Sequence, residues 1–475
     1  MKILNNKKII YACILLLMFF SAMNKYICYA LFPVIIASGI LFAKHSNKEK
    51  NNETPFLIVF LLAIQNLIIG IGAHLFTNLD SSLKLLTQVP FMLIFFTWMF
   101  LFLDKKNRDV TYKYFYIFIA MIAISFFIGR GNIQSICINI RNLTLFYMVF
   151  QIGNKYLYSK NEINKFIEKI FKLSGIILFI GIILYIGGFE LYKMIGIVEV
   201  YYAKLGGTIK EMDNRFYTTL ITTRVMRMGS IFYEPVNLAY FYSCTFLLSL
   251  FHKNNNQKKN VLINGLGLLL TFGKGGYLIA ILGVLFVLSS KFLYKFKLVN
   301  NITKSSNVSI LIIILGAVSF SIYYYLNIGA AATTHFVGVI KTFESVRKQI
   351  FGYGLGTGGN MAILFGSNND WLSSGGETAF MSFFYQIGIQ GVIALVILMT
   401  KLMVTKINEN DKMLDMQLLF RIMPIIIILI SILQENTFTP QCITLFMLMQ
   451  GAMKINTDGL LDAKNKKIAF LITNF

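Results

Sequence analysis

Residues 56–76 read FLIVFLLAIQNLIIGIGAHLF, a stretch without a single Asp, Glu, Lys or Arg. Apolar runs of about 18 or more residues can cross a hydrocarbon layer about 30 Å thick as a helix. No water is available there, so every backbone N–H and C=O must be bonded inside the protein, in a helix or a closed barrel. A barrel strand alternates apolar and polar residues, whereas this run is continuous. The segment is therefore a membrane-spanning helix. Ser309 to Leu326 repeats the pattern.

Working outward from these two segments, similar runs fall at roughly 9–23, 26–43, 83–103, 112–128, 133–153, 173–189, 235–251, 260–272, 275–290, 379–400, 418–434 and 439–453. The expectation is an all-α polytopic membrane protein with about fourteen spans, in a range of about 12–14. Composition agrees: of 475 residues, 56% are hydrophobic and 14% charged, and mean hydropathy is +0.66. A soluble domain carries about 25% charged residues. With no internal repeat, low-complexity tract, soluble catalytic domain or Walker motif, residues 1–475 read as a single integral membrane domain.

The formal charge of +23 suggests a nucleic-acid partner until its distribution is traced. The basic residues form short clusters between apolar runs, not one patch or tail, so no nucleic acid is expected. With the N-terminus inside, behind Lys2, Lys7 and Lys8, every second connection is rich in lysine or arginine. Examples are Lys44, Lys48 and Lys50; Lys105, Lys106 and Arg108; Lys253, Lys258 and Lys259; and Lys401, Lys406 and Lys412. The intervening short connections, such as Thr77 to Ser82 and Glu435 to Thr439, carry one or none. This is the positive-inside asymmetry, and it puts both termini in the cytoplasm. The first apolar run is followed by no good cleavage site and reads as a retained helix. Five scattered cysteines and four dispersed histidines show neither a disulfide framework nor metal spacing, so no metal or cofactor is expected.

Two outer connections are long, 190–234 and 327–378, and long loops in a tightly connected protein are usually functional. The first mixes Lys193, Lys204, Lys210, Arg215, Arg224 and Arg227 with Glu190, Glu199, Glu211, Asp213 and Glu234. The second begins with an expected surface helix, His335 to Ile350, striped by Phe336, Ile340, Phe343 and Ile350. On the cytoplasmic side, Asn161 to Phe171 has Ile163, Phe166, Ile167, Ile170 and Phe171 at helical spacing. It reads either as an interfacial helix or as an extension of the next span.

Candidate functional residues follow from chemistry and sidedness. Arg141 falls about a third of the way into its span, where arginine costs roughly 2.5–3.5 kcal/mol by insertion scales. It either faces a water-filled cavity or bonds neighbouring carbonyls to hold helices together. Lys274 lies in Gly273-Lys274-Gly275-Gly276, where exposed backbone N–H groups beside a lysine make an anion site, or the lysine snorkels to the headgroups. Arg224 and Arg227, three residues apart, would share one face if the approach to the next span is helical. Arginine holds phosphates through bidentate bonds, with lipid headgroups as the alternative ligand. Phe351-Gly352-Tyr353-Gly354-Leu355-Gly356-Thr357-Gly358-Gly359 contains a formal GxGxxG without the strand a dinucleotide site requires. Gly352, Gly354 and Gly356 are expected instead to bring backbone close to a sugar or phosphate. Glu377 opens the following span, as a functional carboxylate or as a helix cap favoured by the dipole.

At these positions the chain resembles the O-antigen polymerase and ligase superfamily, and within it the Wzy-type capsular or O-antigen polymerases. The resemblance lies in Arg-x-Gly-Ser-Ile-Phe-x-Glu-Pro at 227–235, the turn at 273–276, Phe-Gly-x-Gly-x-Gly at 351–356, and Glu377 followed by Gly388 and Gly391. Lys274 stands where the family often has arginine, and Glu377-Thr378 where ligases typically place His-Asn. The resemblance implies a GT-C-like membrane glycosyltransferase of the bacterial cytoplasmic (inner) membrane, with an extracytoplasmic active site. Its substrates would be polyprenyl-diphosphate-linked oligosaccharides, delivered by a flippase and extended under a chain-length regulator, within a shell of membrane lipids. Its product would be O-antigen or capsular polysaccharide. Such a reaction needs a base for the acceptor hydroxyl and cations for the leaving diphosphate. Glu377 or Glu234 would supply the base, and Arg141, Arg224, Arg227 and Arg347, with Lys274, the diphosphate clamp. The alternatives are an O-antigen ligase-type transferase, a peptidoglycan-type glycosyltransferase, and a lipid-linked glycan flippase or transporter.

Overall fold

The computed structural model describes residues 6–104, 109–129, 131–205, 212, 215–220, 223–327, 330–366, 370–376, 378–405, 407, 411 and 413–454. It is an all-α membrane protein, and its described strands form one two-stranded hairpin. Eight described helices are long and apolar enough to cross a membrane: Lys25–Lys48, Glu53–Leu75, Thr111–Ile128, Ile133–Tyr156, Lys160–Ile186, Lys274–Lys295, Ala379–Leu402 and Leu414–Ser431. Shorter apolar helices occur at Val89–Leu103 and Pro235–Phe251 and over Ile302–Gly316.

Chain contacts group into two compact units. The first comprises Met1–Asn107, Gln151–Tyr277 and Pro440–Leu448; the second comprises Arg108–Phe150, Leu278–Thr439 and Met449–Phe475.

In the first unit, helices start where asparagine or serine side chains can take up unpaired N–H groups. Asn6 accepts from the Lys8 amide, Asn24 from that of Tyr26, and Ser159 from that of Glu162. Residues 160–171 belong to one unbroken helix, Lys160–Ile186, with Ile163, Phe166, Ile167, Ile170 and Phe171 all buried. The extension reading therefore holds over the separate interfacial helix. Its N-terminal part is tied back to the connection before Glu53–Leu75: Glu162 accepts from both nitrogens of Asn52 at 2.6 and 2.7 Å, and Lys169 donates to the Asn52 side chain at 2.7 Å.

The long connection 190–234 is folded where described. Helices Gly188–Met194 and Ile197–Leu205 lead to strands Tyr217–Leu220 and Thr223–Met226, which pair antiparallel with Thr219 opposite Arg224. The condition for Arg224 and Arg227 to share a helix face is thus not met: Arg224 lies in a β-hairpin strand and Arg227 follows just past its end. The hairpin's residues, YTTL and TRVM, are rich in β-branched side chains that lose rotamer freedom in a helix and suit a pleated ribbon.

In the second unit, the connection 327–378 contains the helix Ala330–Lys348, which covers most of the span expected at 335–350, and a short helix Gly359–Leu364. Ala379–Leu402 packs on Thr111–Ile128, on Ala330–Lys348 and on Leu414–Ser431. It is interrupted at Gly388, whose φ of 66° and ψ of −172° lie outside helical space.

Candidate functional site

The first unit gathers charged side chains around the segment that follows the hairpin. Hairpin pairing runs on past the strand, with the Arg227 amide donating to Phe216 O at 2.7 Å. The chain then turns inward onto Tyr192, a fully buried residue of the helix Gly188–Met194. The Tyr192 hydroxyl accepts from the amides of Gly229 at 3.1 Å and Ser230 at 2.8 Å. Burial pushes the Tyr192 phenol above its ordinary range, so it stays protonated while serving as acceptor. Ser230 donates to Ile177 O at 2.8 Å, and Asn66 donates to Phe232 O. Tyr233, in the left-handed region at φ 56°, closes the turn, and Glu234 opens the helix Pro235–Phe251. Pro235 at the first helical position suits this start, because its missing N–H would have had no partner there.

Three of the charged groups meet at this turn. Arg215 Nη1 lies 3.6 Å from Glu234 Oε1. The partly buried Arg227 donates through Nε to Thr271 O at 3.2 Å, a carbonyl at the C-terminal end of the helix Gln257–Thr271. Carbonyls at a helix C-terminus carry partial negative charge and hold a cation well. Burial lowers the Arg227 guanidinium from its ordinary value, while Glu234 and Tyr277 act in the other direction. Among the described residues, its two terminal nitrogens take no hydrogen-bond partner. Arg227 is thus anchored at one edge with its two terminal NH₂ groups open, next to a carboxylate. That arrangement can bind an oxyanion in bidentate fashion.

Arg224 is exposed and lies over its own hairpin neighbour, with the guanidinium carbon 4.2 Å from the centre of the Tyr217 ring. It therefore has a different environment from Arg227. Lys274, at the start of the helix Lys274–Lys295, is exposed. Arg215 is the member of this cluster that motif reading missed. Its signal in the sequence was only one positive charge among many in a mixed loop.

The second unit holds the other candidates. Arg141 lies in the helix Ile133–Tyr156 and donates through Nε to Asn142 Oδ1 at 3.1 Å. Arg347 is exposed in the last turn of Ala330–Lys348. Glu377 lies outside the described residues.

Gly352, Gly354 and Gly356 are all buried, with φ of 83°, 96° and 77°. Their backbone does make a close approach, but to this chain's own backbone. Gly352 donates to Gln349 O at 2.9 Å, Gly354 to Gln386 O at 3.1 Å, and Gly356 to the Gln386 side chain at 2.7 Å. A Cβ on Gly354 would sit 2.2 Å from Gly129 O. The expectation that these glycines offer N–H groups to a sugar or phosphate is corrected accordingly, since all three donors are already bonded. Gln386 completes the arrangement by donating to Asn139 Oδ1 at 3.2 Å, two residues before Arg141 in the chain.

Glu435 is a carboxylate that motif reading passed over. It accepts from Asn360 Nδ2, and Asn360 in turn accepts from Trp371 Nε1 at 2.6 Å. The preceding residue, Gln434, accepts from the Ala379 amide at 3.4 Å, so Glu435 lies beside the entry to the helix Ala379–Leu402. No sequence spacing could reveal this, because the bonded groups are 75 residues apart.

No family model, curated protein or solved structure matches the chain.

Proposed function

We propose that this protein is a membrane polysaccharide polymerase, joining polyprenyl-diphosphate-linked oligosaccharide units on the extracytoplasmic face of the bacterial cytoplasmic membrane. The observation that carries the reading is Arg227: a partly buried guanidinium fixed through Nε on a helix-end carbonyl, with its terminal nitrogens open and Glu234 beside it. A leaving diphosphate needs this kind of preorganised cation, because charge develops on its bridging oxygen as the glycosidic bond breaks. Arg215, 3.6 Å from Glu234, pairs with that carboxylate and adds a second positive charge. The resemblance at 227–235 and the charge asymmetry of the connections support the same reading. In it the eight long helices, the three shorter apolar ones and the helices Lys7–Ser21, Gln257–Thr271 and 440–454 make about fourteen crossings, with both termini in the cytoplasm. Arg141, Arg347, Lys274 and Glu377 remain candidates for contacts with the lipid-linked substrate.

The test is reconstitution of the purified protein in vesicles with a defined polyprenyl-diphosphate oligosaccharide, products being resolved by size. A ladder spaced by one repeat unit is the expected outcome. Single transfer to a different added acceptor would instead make the protein a ligase. Movement of lipid-linked glycan across the bilayer without new glycosidic bonds would make it a transporter.

A further inference from the structure

One carboxylate–histidine contact in the first unit lies outside the motifs. Glu199, in the first turn of the helix Ile197–Leu205, is only 8% exposed. Its Oε1 lies 2.8 Å from His74 Nδ1, in the last turn of Glu53–Leu75, while its Oε2 is fully buried with no hydrogen-bond partner among the described residues. A buried charge is usually fully bonded, so an orphan carboxylate oxygen calls for a reason in function. The imidazole, by contrast, is 43% exposed.

The pair is set by backbone geometry. Gly196, at φ 86°, lies so close to Gly70 that a Cβ there would be 1.9 Å from Gly70 O. Gly70 is one helical turn before His74, and Gly196 three residues before Glu199, so this glycine contact brings the two side chains together. Tyr233 seals the same place: its hydroxyl donates to Ile195 O, and its ring packs on Gly70. Burial pushes the Tyr233 phenol up, with Glu199 and then Tyr192 adding to the effect. Tyr233 directly precedes Glu234, so the pair and the Arg227 cluster share one short piece of backbone. The other charged group at hand, Lys204 on the same helix as Glu199, donates to Asn66 Oδ1 at 2.8 Å.

We infer that His74 and Glu199 form a carboxylate–imidazole dyad in which His74 Nε2 takes the proton from the acceptor sugar hydroxyl during glycan transfer. With Glu199 ionised and the imidazole neutral, the bond to Glu199 is donated by Nδ1–H, which leaves Nε2 as the lone-pair nitrogen. The basic atom then lies on the ring edge opposite the Glu199 bond, in a side chain that is partly exposed. The acceptor oxygen forms its bond to the anomeric carbon as its proton passes to Nε2. The bond from anomeric carbon to diphosphate oxygen breaks, and the electron pair leaves with the diphosphate. Glu199 is a positioning residue: it fixes the tautomer and stabilises the imidazolium that forms. Glu234, engaged with Arg215, then serves the cation cluster, not proton transfer.

The inference rests on the polymerase reading, and the experiment separates the two. In the vesicle assay, the wild-type ladder tests the reading itself; its absence overturns both. Given a ladder, His74→Ala is expected to slow elongation about 100-fold, the low end for loss of a general base. Added imidazole should restore at least about tenfold of that, because the vacated site opens to solvent. Glu199→Gln should slow elongation and displace the acidic limb of the pH–rate profile. Both variants are compared with wild type in thermal melting, so that misfolding is recognised. An elongation rate within about threefold of wild type in His74→Ala overturns the dyad while leaving the polymerase intact. So does a loss that imidazole does not relieve and an unchanged pH profile in Glu199→Gln, which together would mark a structural pair.

Discussion

The Gly352–Gly356 turn and the 227–234 turn look alike in sequence, each a glycine-containing stretch leading toward a span, yet the structure treats them in opposite ways. In the glycine turn all three glycine N–H groups are bonded within the chain, and the backbone lies against Gly129 and the helix Ala379–Leu402. In the 227–234 turn the backbone is equally well bonded, to Tyr192, Leu270 and Phe216, but one arginine head keeps open donors. Glycine richness alone therefore does not mark a ligand loop. What distinguishes the second turn is a charged group that packing has fixed without saturating.

The sharpest way to break this comparison is at Gly354. A β-carbon there meets Gly129 O at 2.2 Å, and the residue's φ of 96° is strained for any L side chain. Gly354→Ala should destabilise the protein by at least about 3 kcal/mol, seen as a collapse in monodisperse yield and thermal midpoint. Normal yield with selective loss of polymer would return the turn to substrate binding.

Arg227→Lys comes next. It keeps the charge but removes the fork, so elongation should fall about 100-fold with little change in melting. Glu234→Gln should cost about tenfold, equivalent to about 1.4 kcal/mol of transition-state stabilisation, because Arg215 loses its anchor; a loss as large as that of a missing base would promote Glu234 over His74. The smallest effect belongs to Arg224→Ala. Its exposed cation–π contact is worth about 0.5–1 kcal/mol, so elongation should stay within about threefold of wild type. A larger loss would extend the anion site onto the hairpin.

The long apolar runs were legible because hydropathy is a local property: Phe56–Phe76 falls almost entirely within the helix Glu53–Leu75. The hairpin was legible in principle, since Thr218, Thr219, Thr223 and Val225 are β-branched, but the apolar spans on either side favoured a helical reading. The Arg227–Glu234 proximity was accessible, because a seven-residue separation keeps both on one turn. The partners that fix the site were not. Thr271 is 44 residues from Arg227, and Glu199 is 125 from His74. Nothing in local composition distinguishes Glu199 from Glu190, which forms an exposed pair with Lys193. Their difference arises only when Gly196 settles against Gly70.

The break in the helix Ala379–Leu402 has a consequence for what completes that span. At Gly388 the span leaves helical geometry, and segment 350–354 supplies replacement bonds: Tyr353 N–H to Tyr385 O, Gly354 N–H to Gln386 O, and Ile389 N–H to Ile350 O. Hydrocarbon tolerates such a gap only where protein fills it. The filling segment comes from outside the helix, earlier in the chain, so the span is not self-sufficient in backbone bonds. The dependence is mutual: the turn at 350–354 and the broken helix each satisfy the other's backbone groups, and Ala330–Lys348 packs beside them.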